Sequence, residues 1–298
     1  MRRTRWLGFA LLCVLSATSW VIPQTAAGTL PPLEEQGLLF GLIGVAGLVF
    51  SIRGKWRREK VADYLRVAVG GLGFFGVPLV VAEYAGSTVS AITRSALFAF
   101  APVVVVIAVA ASEVSAGDER DARKFLIPAL GGAGGLLLLL PLQFSRSPRG
   151  QLLLGLVCAA VVLVGVVSVR LHRLLREVNL AEAIAVVGLA NAVFLLAWSA
   201  LREEMVWRWP DLLAAAPVSS LVDGIEVLLL IWLLRAMAPM RFSARYLVIP
   251  FVTILESFAL EQPEPTVRMI CGTILLAAGA GVLLFLRTTD DEAVLSLR

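Results

Sequence analysis

The sequence predicts an all-α membrane protein with ten transmembrane helices arranged as a 5+5 inverted repeat. Three observations carry that expectation. The 298 residues are 59% hydrophobic and 16% charged, with a mean hydropathy of +0.87, whereas a water-soluble domain runs about 45–50% apolar and roughly 25% charged. Ten apolar stretches are long enough, or nearly so, to cross the roughly 30 Å of a bilayer core. Basic residues alternate between rich and poor connections along the chain, as the positive-inside rule requires. A composition this apolar excludes a soluble globule, a disordered chain and a nucleic-acid-binding protein. The pI near 9.3 then reflects loop arginines and lysines.

The first stretch, Trp6–Ile22, follows Arg2, Arg3 and Arg5 and precedes Thr25-Ala26-Ala27-Gly28. That pattern also fits a cleavable signal peptide, but cleavage would leave nine spans and break the repeat described below, so retention is expected. The second, Gln36–Ile52, carries Gly37, Gly41 and Gly44 on a face suited to close helix packing. In the third, Leu65–Ala82, Gly71-x-Gly73-x-x-Gly76 matches a dinucleotide fingerprint by letter. No strand precedes it, so it reads as helix packing. Thr88–Ser112 holds Arg94 and Pro102, and Phe125–Leu142 holds Pro128 and the glycines at 131, 132, 134 and 135. Gln151–Val169 ends in a basic stretch containing His172, the one histidine. Ala181–Leu201 carries Asn191, and Leu212–Leu234 carries Asp223 and Glu226. Tyr246–Leu260 contains Pro250 and Glu256, and Met269–Leu286 contains Gly279 and Gly281. Cys13, Cys158 and Cys271 all fall in apolar runs and are expected to be small buried side chains.

With the N-terminus inside, the inner segments hold Arg2, Arg3, Arg5, Arg53, Lys55, Arg57, Arg58, Lys60, Arg66, Arg120, Arg123, Lys124, Arg170, Arg173, Arg176, Arg235, Arg241, Arg245, Arg287 and Arg298. The remaining six of the 26 basic residues are Arg94, Arg146, Arg149, Arg202, Arg208 and Arg268. Both termini are therefore expected in the cytoplasm of a bacterial cell, with the chain in the plasma (inner) membrane. Six tryptophans, among them Trp6, Trp20, Trp198 and Trp232, fall near the ends of the expected spans, where interfacial tryptophans concentrate.

An internal repeat divides the chain at 1–145 and 146–298. Pro102 precedes Glu113 by 11 residues and Pro250 precedes Glu261 by 11. The same offset of 148 aligns Arg120 with Arg268, Gly131 with Gly279, and Tyr84 with Trp232. Five spans per half make the second half insert upside down, the build of many secondary transporters. Ala82-Glu83-Tyr84-Ala85-Gly86-Ser87, the Pro102 span and Glu113 resemble the first half of the EamA-like drug/metabolite transporters. Pro250 through Glu261, Cys271-Gly272 and the Gly279/Gly281 run resemble the second. Ser16-Ala17-Thr18-Ser19-Trp20 is similar to the small-polar-aromatic stretch closing that family's first span. The resemblance covers essentially the whole chain. It implies ten helices, cytoplasmic termini and alternating access around a central cavity. The Trp-Gly often found in the first span is missing, and the acidic residues below are not a family-wide pattern, so the resemblance names no substrate.

An ionisable side chain in the bilayer core costs at least about 2.5–3.5 kcal/mol and needs a cavity or a partner. The sharpest such signal is the stripe Ser219–Asp223–Glu226, one face of one helix. It reads as a cavity-lining proton or cation site, or as a structural hydrogen bond between helices. Glu256, with Thr253 and Ser257 beside it, and Arg94 fall at similar depths in repeat-related spans, and the two are expected to pair or to share a substrate's charges. Snorkelling of Arg94 to the interface is the alternative. Asn191, Trp20 and Tyr84 complete the binding candidates, with Pro102 and Pro250 as hinges. Glu113 and Glu261 follow their spans and are expected to act on loop geometry.

The expected function is secondary active transport, in the export direction, of a small polar or amphipathic metabolite. No ATP-binding motif is present, so a gradient, of protons among others, or substrate exchange must drive it. A lipid-linked-substrate flippase is the near rival, and a membrane-embedded transferase or phosphatase, or a non-transporting scaffold, the more distant ones. No catalytic residue, metal or cofactor is expected. The partners are the substrate, the bilayer and, through the glycine faces of spans five and ten, a second copy as an alternative to packing within the chain.

Overall fold

A computed structural model of the chain describes residues 2–21, 30–51, 61–113, 119–140, 147–202, 219–261 and 266–286. The described residues form ten helices, some of them in more than one piece, with no strand among them. These are α1 (Arg2–Val21), α2 (Pro32–Ser51), α3 (Val61–Gly86), α4 (Ala91–Phe98, then Ala101–Glu113) and α5 (Glu119–Leu139). The second five are α6 (Pro148–Glu177), α7 (Leu180–Arg202), α8 (Ser219–Ala236), α9 (Pro239–Ser243, then Arg245–Glu261) and α10 (Val267–Phe285).

Local chemistry starts several of them. The hydroxyls of Ser90, Ser147 and Thr266 cap α4, α6 and α10 by accepting from the amides of Thr93, Gly150 and Met269 at 3.2, 3.0 and 3.2 Å, each satisfying one orphan first-turn amide. Pro148 then occupies the first turn of α6, where its missing N–H costs nothing. That helix overruns its expected end by eight residues, to Glu177. Hydropathy drops after Val169, but Arg170 through Glu177 contains no glycine or proline, so nothing stops the helix there. His172 and three arginines consequently lie on a helix and not in a loop.

Among the described residues, seven helices are long and apolar enough to cross a membrane: α2, α3, α4, α6, α7, α9 and α10. The other three differ from the uniform ten expected. α1 opens on three arginines, α5 is apolar over only Lys124–Leu139, and α8 holds Asp223, Glu226 and Arg235 within 18 residues. The outer surface is apolar. Leu7, Phe50, Ile127, Val193, Leu201 and Phe285 are all at least 70% exposed, while Glu34, Asn191, Ser199, Ser243 and Arg245 are buried. That is the reverse of a water-soluble protein and suits a lipid surround.

The most extensive helix contacts join α2 to α7 and α5 to α10. Along the first, Gly37, Gly41, Gly44 and Gly47 meet Leu196, Ala192, Gly188 and Ala185. A methyl group on Gly44 would come within 2.6 Å of the Leu189 nitrogen, so the approach requires glycine. The second seam places Gly132 on Gly279 and Gly135 on Gly272. Among the described residues, nothing lies within 4 Å of where a side chain on Gly131, Gly134 or Gly281 would sit, so the glycine runs divide between a packed and an open face.

Other contacts come in matched pairs when the first five helices are exchanged for the last five. α1 packs on α9 as α6 does on α4, and α1 on α8 as α6 on α3. Likewise α2 packs on α8 as α7 on α3, and α4 on α5 as α9 on α10. An internal repeat leaves this pattern.

Candidate functional site

The sequence places a π-helical turn, Leu72–Gly76, in the middle of α3, closed by a bond from the Val77 amide to the Leu72 carbonyl. This is where the Gly71/Gly73/Gly76 spacing falls. A π-turn inserts an extra residue into the helix and re-aims the side chains around it, and such turns concentrate at functional sites. Here Phe74 and Phe75 pack edge to face at 4.7 Å, and Phe74 also stacks against Phe242 of α9 at 6.4 Å.

Those rings enclose Arg245. Its guanidinium lies 4.1 Å from the Phe242 ring centre, 4.6 Å from Tyr246 and 5.1 Å from Phe74. Nη2 donates to the Tyr246 hydroxyl at 2.7 Å, while Nη1 is buried with no partner among the described residues. The residue is only 5% exposed. This corrects the expectation that Arg245 is a loop cation marking the cytoplasmic face. Hydropathy ends the ninth span at such a residue, whereas the helical span runs from Pro239 to Leu260. The signal that could have found it is the two aromatics that flank it in Phe242-Ser243-Ala244-Arg245-Tyr246.

Acidic residues line up with this cation. Glu226, on α8, accepts a hydrogen bond from the Ser16 hydroxyl of α1 and lies in the fields of both Asp223 and Arg245. Buried Cys13, one turn before Ser16, is in the field of Arg245 and Glu226. Glu256 of α9 accepts from the Thr18 hydroxyl at 3.1 Å through Oε1, and its Oε2 is buried without a partner among the described residues. Asp223 interacts electrostatically with Glu35 in the first turn of α2. From Arg245 to Glu256, α9 rises about 16 Å, at 1.5 Å per residue. Along it run Arg245, Cys13, Ser16–Glu226 and Thr18–Glu256: a polar track built by α1, α3, α8 and α9.

The other candidates lie elsewhere or make different contacts. Arg94 donates to the Ala82 carbonyl, latching the start of α4 to α3 beside Gly86. It makes no ion pair with Glu256, so the expected pairing is not formed; a carbonyl at the end of α3 is nearer than any carboxylate. Asn191 is fully buried and donates to the Val187 carbonyl of its own helix at 2.8 Å. Its Oδ1, unpartnered among the described residues, rests against Gly76 of the π-turn. Tyr84 accepts from the Trp198 indole at 3.3 Å in the α3–α7 contact. Trp20 and Ser219 lie on α1 and α8, but their side chains fall outside the described residues, as do those of Glu113, Arg120 and Glu261. Pro102 sits at the second position of the longer α4 piece, just after a break in which the Ala99 and Phe100 amides reach Ser95 and Leu97. α9 runs unbroken through Pro250, and its break is at Ala244.

Cys13 is buried as expected, but Cys158 and Cys271 are exposed. An apolar run does not say which of its faces meets lipid and which meets protein, so the expectation of burial fails for those two.

No family model matches the chain, and no curated protein does. Among solved structures 26 chains match. One crystal structure superposes with a TM-score of 0.71 over 95% of this chain and 98% of its own, at 22% identity. The chain is an all-α, multi-pass membrane protein. Its fold recurs along nearly the full length of both chains.

Proposed function

We propose that the chain is a secondary active transporter, not an enzyme, that exports a small polar or amphipathic metabolite by alternating access. One observation carries this reading. The polar track of Arg245, Glu226 and Glu256 runs through the interior of a bundle whose outer surface is apolar. Charges cost too much inside a membrane to be kept without use, and in transporters they gather where two repeated halves meet. Here α1 and α3 come from the first half, and α8 and α9 from the second. In this reading the halves are residues 1–145 and 146–298, inverted relative to each other, and each half supplies two walls of the track. Ser16 and Thr18 on α1 are the movable contacts, since a hydroxyl can exchange a carboxylate for substrate or a proton at little cost. The EamA-like drug/metabolite resemblance agrees with this arrangement. The membrane is the bacterial plasma membrane, with both termini cytoplasmic.

The test is flux of candidate metabolites into proteoliposomes, with and without a pH gradient, comparing wild type with Asp223→Asn, Glu226→Gln and Arg245→Lys. Loss of flux in Glu226→Gln and Arg245→Lys with retained folding supports the reading. Unaltered flux in all three variants removes the track from the transport path.

A further inference from the structure

Away from the polar track, a cleft of 530 Å³ opens between α1, α6, α7 and α8, lined by Thr4, Arg5, Arg176, Trp232 and Arg235 among others. The three arginines come from three different helices. No carboxylate is among the described residues lining it. None of the three guanidinium groups makes a hydrogen bond or ion pair among the described residues, although elsewhere Arg94, Arg173 and Arg268 all find partners. Like charges held around one cleft repel each other, and α1 adds to the cost. Its positive first turn holds Arg2, Arg3 and Arg5 and no acidic residue, the wrong sign for a helix N-terminus. Something anionic would relieve both.

We propose that this cleft is a binding site for a phosphate ester group, carried either by an anionic phospholipid head group or by a small soluble phosphate. Guanidinium groups are suited to this ligand, because each presents a planar fork of donors that matches two phosphate oxygens. Three forks and the Thr4 hydroxyl can saturate a phosphate from several sides. Trp232 supplies an apolar wall for the glycerol or sugar attached to it. The volume accommodates a head group as well as the phosphate. Basic pockets between membrane helices hold anionic head groups by the same chemistry. The site does not depend on the transport reading, as none of its residues belongs to the track.

The test uses the purified full-length chain in a zwitterionic detergent at constant ionic strength. Saturation binding of radiolabelled inorganic phosphate is measured in one arm. In the other, phosphatidylglycerol retained through native mass spectrometry is compared with phosphatidylcholine. The wild type is expected to bind one of the anions saturably, with affinity falling about tenfold or more in Arg176→Gln/Arg235→Gln, because two charge-assisted contacts are lost. Retention of phosphatidylglycerol without phosphate binding assigns the cleft to lipid, and phosphate binding assigns it to a soluble ligand. Wild-type protein that binds neither anion overturns the proposal, whatever becomes of the variant. A folded double variant that binds as tightly as wild type also overturns it.

Discussion

Arg245 is held by three aromatic rings and a tyrosine hydroxyl, with Glu226 across the track in its field. A desolvated cation–π contact contributes about 2 kcal/mol or more, so the cage alone can keep the charge inside the bundle. Lysine lacks the planar group that stacks on the rings while bonding Tyr246. Arg245→Lys should therefore lower unfolding free energy by about 1–2 kcal/mol, read as a fall in the thermal midpoint of the detergent-solubilised protein. A double-mutant cycle between Arg245→Met and Glu226→Gln should give a coupling of about 0.5–3 kcal/mol. The same cycle with Glu256→Gln, eleven residues along α9, should be additive within about 0.5 kcal/mol. Equal coupling in both cycles would contradict the order of groups along the track. At this scale the sequence was only partly legible. The acidic stripe on α8 stands out because two carboxylates interrupt an apolar helix. Arg245 does not, because it sits six residues inside α9, where a basic residue is indistinguishable by hydropathy from a loop boundary.

Helices α2 and α7 meet along glycines, and the π-turn of α3 lies against the same α7 at Asn191. A methyl on Gly76 would sit 2.8 Å from Asn191 Oδ1 and 2.9 Å from Phe194, both on one helix with little room to retreat. Gly76→Ala should cost about 1–3 kcal/mol by overpacking, with the loss visible in thermal unfolding monitored by size-exclusion chromatography. Gly44→Val should be worse, since it forces apart two backbones. Gly134→Val, facing open space, should leave the midpoint unchanged within the noise of the assay; a fall as large as that of Gly44→Val would mean the open face is covered by something. Helix existence and order were readable from the apolar stretches and the alternating basic segments between them. The π-turn was not, because no local composition distinguishes it from the α-helix around it, and the length of α6 was not, because a helix ends on backbone chemistry and not on hydropathy.

The whole molecule buries a few polar groups within an apolar core behind an apolar outer surface, and its contacts repeat between the first and last five helices. That much follows from counting apolar stretches, alternating basic loops and one recurring offset of 148 residues. Which helices face one another required the structure, since glycine runs announce close packing without naming the partner. Reporter fusions at either terminus should both read as cytoplasmic; an extracytoplasmic C-terminus would remove the inverted arrangement of the halves. The two glycine seams have one more consequence, for biosynthesis. Each seam joins a helix of the first half to a helix of the second, so α2 must wait in the bilayer until α7 has been translated, and α5 until α10. The first five helices therefore reach the membrane before their principal partners exist, and finding them afterwards does not depend on the peptide link between α5 and α6. Two plasmids, one encoding each half, should yield a co-purifying assembly in the same cell, and Gly44→Val in the first half should abolish that co-purification.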